Sequence, residues 1–167
     1  MYKSNIENWV ILLILSIIWG SSFILMKKSL VSFNYLEVAF FRLIIAFFVL
    51  SPFAISSFRQ MKRIYILPIL IVSIIGTVIP AILFARAQMY LDSANTGMLN
   101  ALTPIFTLII GIIFFQKKWY YTAIIGIIIG LLGSYILLLP SKLNIINTKY
   151  SIVVIVATIC YAISINT

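Results

Sequence analysis

The chain has no histidine, one cysteine (Cys160) and three acids, Glu7, Glu37 and Asp92. Each shortage removes a class of chemistry. Without histidine, neither a Ser-His-Asp triad nor a Cys/His metal site can be assembled. One cysteine cannot close a disulfide within the chain. The three acids lie far apart in sequence, which leaves little material for paired-carboxylate catalysis. No catalytic residue, no metal ligand and no cofactor is expected, and the chain does not read as an enzyme.

Charge of either sign is also scarce. Of the 167 residues, 9% are charged and 63% are apolar, and the mean hydropathy is +1.19. A soluble domain is typically about 45–50% apolar and about 25% charged. So few charges cannot cover a water-facing surface, and the chain reads as an integral membrane protein. The net charge of +9 comes from Lys and Arg that lie mainly between or at the ends of apolar runs. There they anchor helices and meet anionic headgroups. No basic run is interleaved with aromatics in a polar context, so the expected partner is the lipid bilayer and not nucleic acid.

Apolar runs occupy about 9–26, 38–57, 64–88, 95–115 and 119–139, and a sixth begins near Tyr150. Spanning the hydrocarbon core takes roughly 20 apolar residues. The runs are continuous rather than alternating, which selects helices over a barrel. The first run follows Lys3 but continues to Lys27-Lys28 with no small-x-small cleavage pattern, so it reads as a retained helix and not a signal peptide. The breaks are short and polar, and they force neighbouring helices to run antiparallel. With the N-terminus cytoplasmic, Lys3, Arg59, Lys62, Arg63, Lys117 and Lys118 fall inside, against Lys27, Lys28, Lys142 and Lys149 outside. The positive-inside rule favours that orientation. The expected organisation is a tail at 1–8, a five-helix unit at 9–139, a loop at 140–149 and the start of a second unit at 150–167.

The sixth segment resembles the first. In "SIIWGSSF" (16–23) and "TICYAISI" (158–165), Trp19 aligns with Tyr161, Gly20 with Ala162 and Ser22 with Ser164. An odd number of helices followed by a similar segment is the mark of an inverted-topology repeat.

In the fourth run, "TGMLNALTPIF" (96–106) sets polar residues where lipid would penalise them. Thr96, Asn100, Thr103 and Thr107 are spaced four, three and four, which is one face of a helix. Such a stripe either bonds to neighbouring helices or lines a cavity. Pro104 removes a backbone donor, frees the Asn100 carbonyl and is expected to kink the helix. In the first run Trp19 sits mid-helix, away from the interfacial belt, with Ser22 nearby; packing and a cavity wall are both open for it. Arg42 follows Glu37 by five residues, about 140° around a helix, so the two are not an ion pair. Arg42 either snorkels to the interface or faces inward. Gly76 and Pro80 are bend points, and Arg86 and Gln88 read as interfacial. Gly126, Gly130 and Gly133 form a small-xxx-small pattern expected to serve helix packing.

"WGSSFILMK", "FFRLIIAFF", "AQMYLDSANTGMLNALTPIFTLIIGIIFF" and "IIGIIIGLLGSYILLL", in that order and spacing, resemble the EamA-type module of the drug/metabolite transporter superfamily. The resemblance covers about 9–139. It implies an all-α integral membrane protein: a five-helix transmembrane bundle, one inverted repeat of a ten-helix transporter, followed here by a sixth helix cut short. It implies a plasma-membrane exporter or exchanger of amino acids, metabolites or drugs. Trp19, Asn100, Thr103 and Pro104 would then face or shape a central cavity, and Arg42 matches a recurrent family arginine. Family members often carry an acid just after the fourth helix, where this chain reads Gln116-Lys117-Lys118. With one module and part of the next, the chain is expected to need a second module, from further chain, another copy or a partner. The competing readings are a non-transporting membrane scaffold or fragment, and a small four-helix multidrug exporter. The latter depends on a membrane-buried Glu in its first helix, and the first apolar run, about 9–26, has no acid.

Overall fold

The computed structural model describes residues 5–118, 120–138 and 145–167, and all regular structure among them is helical. Helix α1 is Asn5–Ser29, α2 is Tyr35–Gln60, α3 is Arg63–Gln88, α4 is Ser93–Phe115, α5 is Tyr121–Leu138 and α6 is Ile145–Asn166. Five stretches, in α1, α2, α3, α4 and α6, are long and apolar enough to cross a membrane; in α5 the apolar helix Tyr121–Gly133 is shorter. This is the six-helix, strand-free architecture the run pattern implies.

Two boundaries differ from the expected organisation. Helix α1 begins at Asn5, inside the expected tail, and α6 begins at Ile145, inside the expected loop. The end of an apolar run marks where hydrocarbon stops. Helical hydrogen bonding need not stop where the apolar run does, because polar residues at a helix end can meet headgroups and water.

The turns have local causes. Before α2, the Asn34 N–H donates to the Glu37 carboxylate at 2.8 Å, and the Val38 N–H donates to the Asn34 carbonyl. Glu37 thus caps the helix start and is not spent on Arg42. After α4, Gln116 leaves the helix in the left-handed region (φ 50°), and the Lys117 N–H closes back on the Gly111 carbonyl at 2.9 Å.

Helix α3 is not a uniform α-helix. A π turn at Ile74–Val78 joins the α-helical parts Ile66–Ser73 and Ile79–Gln88. The cause lies in Pro80. It has no N–H for the Gly76 carbonyl four residues earlier, and its ring crowds that carbonyl. The helix answers with a wider turn, in which the Ile79 N–H donates to the Ile74 carbonyl.

Helix α6 occupies the centre. It packs on the π turn and the Ile79–Gln88 part of α3 and along both parts of α4, while α2 packs on the Ile79–Gln88 part of α3 and α5 packs on the start of α4. The contacts are made by small residues: Ala39, Ala85, Ala87, Ala157 and Ala162 are fully buried. Small side chains let membrane helices approach closely, so dispersion replaces a hydrophobic effect that lipid cannot supply. The large apolar residues of α1 and α2 face outward, as a lipid-facing surface requires.

Candidate functional site

The fourth-helix stripe is broken at its middle. Helix α4 consists of Ser93–Asn100 and Thr103–Phe115, joined by a turn at Ala101-Leu102. The break is where Pro104 withholds an N–H from the Asn100 carbonyl, as its sequence position implies. The stripe is largely stitched to itself. Thr96, fully buried, donates its hydroxyl to the Asp92 carbonyl at 3.1 Å, and Thr107 donates to the Thr103 carbonyl at 2.8 Å. The Thr103 hydroxyl bonds the Asn100 side-chain oxygen at 3.2 Å across the break. That last bond keeps Asn100 half-buried and oriented while its side-chain amide NH2 stays available.

Pro104 faces elsewhere. With Ala101 it lines a groove of about 410 Å³ whose other wall is Ala123, Gly126, Ile127 and Gly130 of α5. A Cβ built on Gly126, Gly130 or Gly133 meets nothing within 4 Å. The close approach expected of these glycines is therefore not made among the described residues. The glycines that are closely approached are Gly76 and Gly111: a Cβ on Gly76 would overlap the Ser164 side chain, and one on Gly111 would lie 2.8 Å from Asn166 Oδ1.

Ser22 and Arg42 are brought together between α1 and α2. The Arg42 guanidinium reaches Ser22 Oγ at 3.5 Å and Met26 Sδ at 3.7 Å, both neutral. No carboxylate reaches it among the described residues. Trp19 stands apart, 66% exposed on the outer part of α1. Arg86 is exposed, its guanidinium carbon 6.0 Å from the Tyr35 ring centre.

The residue that sequence reasoning misplaced is Gln88. Read as interfacial, it is fully buried, and neither Oε1 nor Nε2 has a hydrogen-bond partner among the described residues. An unpartnered buried amide costs about 1–3 kcal/mol, so it calls for an explanation. Its own backbone carbonyl is held: Lys27 Nζ donates to the carbonyls of Gln88 (2.7 Å) and Leu91 (2.9 Å), closing the end of α3 against α1. Ser93 adds a hydroxyl to the Phe23 carbonyl at 3.2 Å. One turn before Gln88 lies buried Phe84, whose ring sits 5.9 Å from Phe23 and 5.7 Å from Tyr161. A usable signal was present: Ala81, Phe84, Ala85, Gln88 and Leu91 follow the three-four spacing of one helix face, and all five are buried.

Gln88, Thr96 and Thr158 are fully buried polar side chains in a bundle whose outer surface is apolar. Fold and site define a multi-pass membrane protein with polar groups turned inward, the arrangement of a protein that handles solutes within the bilayer. The EamA-like transporter family model matches residues 8–139, and the chain belongs to that family. Its members are transporters, not enzymes. An uncharacterized transporter of Archaeoglobus fulgidus is 27% identical over 155 residues, 93% of this chain and 56% of that protein. An uncharacterized transporter in the trpA 3' region of Buchnera aphidicola subsp. Schlechtendalia chinensis is 26% identical over 127 residues, 71% of this chain and 40% of that protein. The chain thus spans about half the length of the curated relatives it matches. No solved structure gives a significant match.

Proposed function

We propose that this chain forms one five-helix unit of a permease for small metabolites, amino acids or drugs, in the cell membrane with a cytoplasmic N-terminus. The other wall of the pathway comes from a second unit of the same kind, and α6 opens that second unit. The observation that carries this reading is Gln88: its desolvated amide gains its missing partners when a polar solute passes the inner face of α3. Ser22 and Arg42 of α1 and α2 and the side-chain amide NH2 of Asn100 on α4 are the further groups offered to that solute, with Thr103 orienting Asn100 and Thr96 packed behind them. The neutral amides suit an amide or amino acid, and the guanidinium suits a carboxylate. The length of the relatives supports the two-unit arrangement.

The test is flux. The protein is reconstituted into liposomes loaded with an equimolar mixture of the common amino acids, and the escape of each is followed by mass spectrometry. Saturable escape of at least one, above protein-free liposomes, is the expected result. If none escapes, and none of a broader metabolite extract does, copies of this chain do not complete a pathway and the reading fails.

A further inference from the structure

Two glycines and two polar side chains meet at one level of the bundle. Ser164 of α6 fills the space left by Gly76 on α3, and Asn166 of α6 fills the space left by Gly111 on α4. Each side chain then bonds a carbonyl of the helix it enters. The Ser164 hydroxyl donates to the Val72 carbonyl at 3.3 Å, and Asn166 Nδ2 donates to the Thr107 carbonyl at 2.9 Å. In both cases the acceptor lies four residues before the glycine. A helix normally shields that carbonyl with the side chain on the same face; glycine has none, so the oxygen is open to a second donor.

We infer that Ser164 and Asn166 form a releasable clasp that holds α3 and α4 onto α6 and closes this end of the bundle. Release is cheap for three reasons. Asn166 Nδ2 already donates to the Ala162 carbonyl of its own helix at 2.8 Å. Serine in a helix can turn its hydroxyl back to the carbonyl of the preceding turn, as Ser16 does here to Leu12 at 2.8 Å. When the clasp opens, Asn166 keeps one of its two amide donors bonded to Ala162 and Ser164 can rebond its hydroxyl within its own helix. Finally, α3 has its soft point at the same level, because Gly76 belongs to the π turn set by Pro80. The part of α3 before the π turn can therefore swing while Ile79–Gln88 stays packed. This end carries the start of α3 and the end of α4, hence Arg63 and Lys117, and under the proposed orientation it faces the cytoplasm. The clasp rests on the transport reading only for the purpose of the motion.

The experiment measures helix separation, so a missing clasp and a missing flux are separate results. Spin labels are placed at Ile64 and Phe114, exposed positions at this end of α3 and α4, in a Cys160→Ser background in liposomes. The parent distance distribution is compared with that of Ser164→Ala/Asn166→Ala. Expected is a shift to longer distances with a broader distribution. Gly111→Ala, which fills the Asn166 socket from the other side, is expected to shift the distribution the same way. It carries the test if the double variant does not insert. Gly126→Ala, in open space, is expected to leave the distribution as it is. An unchanged distribution in the clasp variants, or an equal shift from Gly126→Ala, overturns the inference.

Discussion

Helices α1 and α6 carry similar segments and live in opposite surroundings. In the most apolar window of α1 6% of the residues are buried, against 28% in α6. Position by position the contrast is sharper. Trp19 is mostly exposed, whereas Tyr161 lies against Phe84. Around Gly20 there is open space, whereas Ala162 is fully buried. Ser22 meets the Arg42 guanidinium, whereas Ser164 enters the Gly76 socket. One pattern of a bulky ring, a small residue and a hydroxyl thus serves as core in one place and as open surface in the other. The pattern describes a helix built to be approached closely; what approaches it is decided by the neighbours. Helix α6 has α3 and α4. Among the described residues the outer face of α1 has none.

The comparison can be broken at each pair. The largest effect is expected from bulk at the small position. Ala162→Leu overpacks a closed contact and should destabilise the protein at the upper end of about 1–3 kcal/mol. Gly20→Leu adds slightly more bulk beside open space and should leave stability unchanged or raise it by up to about 1 kcal/mol through helix propensity. Thermal unfolding of both variants in the same detergent reads the difference; equal losses would mean that α1 is packed as tightly as α6. The glycines come next. Gly76→Ala forces Ser164 out of its socket and should cost about 1 kcal/mol or more, while Gly126→Ala should be neutral or slightly stabilising through helix propensity. Reversal of that order would return the packing role to the α5 glycines. The smallest effect belongs to the α4 break. Thr103→Ala removes one bond to Asn100, and about 0.6 kcal/mol is expected, in line with side-chain bonds inside membrane bundles. A loss several times larger, seen as a shift in unfolding midpoint, would make the break itself a key strut.

The spans were legible because hydrocarbon imposes one rule on every crossing helix: long apolar runs, with polar residues at the ends. The break at Ala101-Leu102 was legible too, because Pro104 acts through its own backbone. What could not be read was which face of each helix turns inward. In a soluble protein, polarity separates core from surface. Here both the lipid-facing Ile and Leu of α1 and the buried Ala and Val of α6 are apolar, so periodicity carries little information. The glycine pattern of α5 suggested a close approach that, among the described residues, is made at Gly76 and Gly111. Gln88 went unread for a related reason: a polar residue at the end of an apolar run looks interfacial, and only the spacing from Ala81 to Leu91 betrays its inward direction.

Gln88 is the residue on which the proposed transport role depends most directly. If its buried amide is there for a solute, removing it relieves an uncompensated desolvation and costs the protein nothing in stability. The decisive measurement sets flux beside thermal unfolding for Gln88→Leu. Loss of one solute hydrogen bond predicts roughly a tenfold drop in flux, about 1.4 kcal/mol, with an unfolding midpoint equal to or above that of the parent. Unchanged flux, or a large fall in the midpoint, would show that the amide serves the fold and not the pathway.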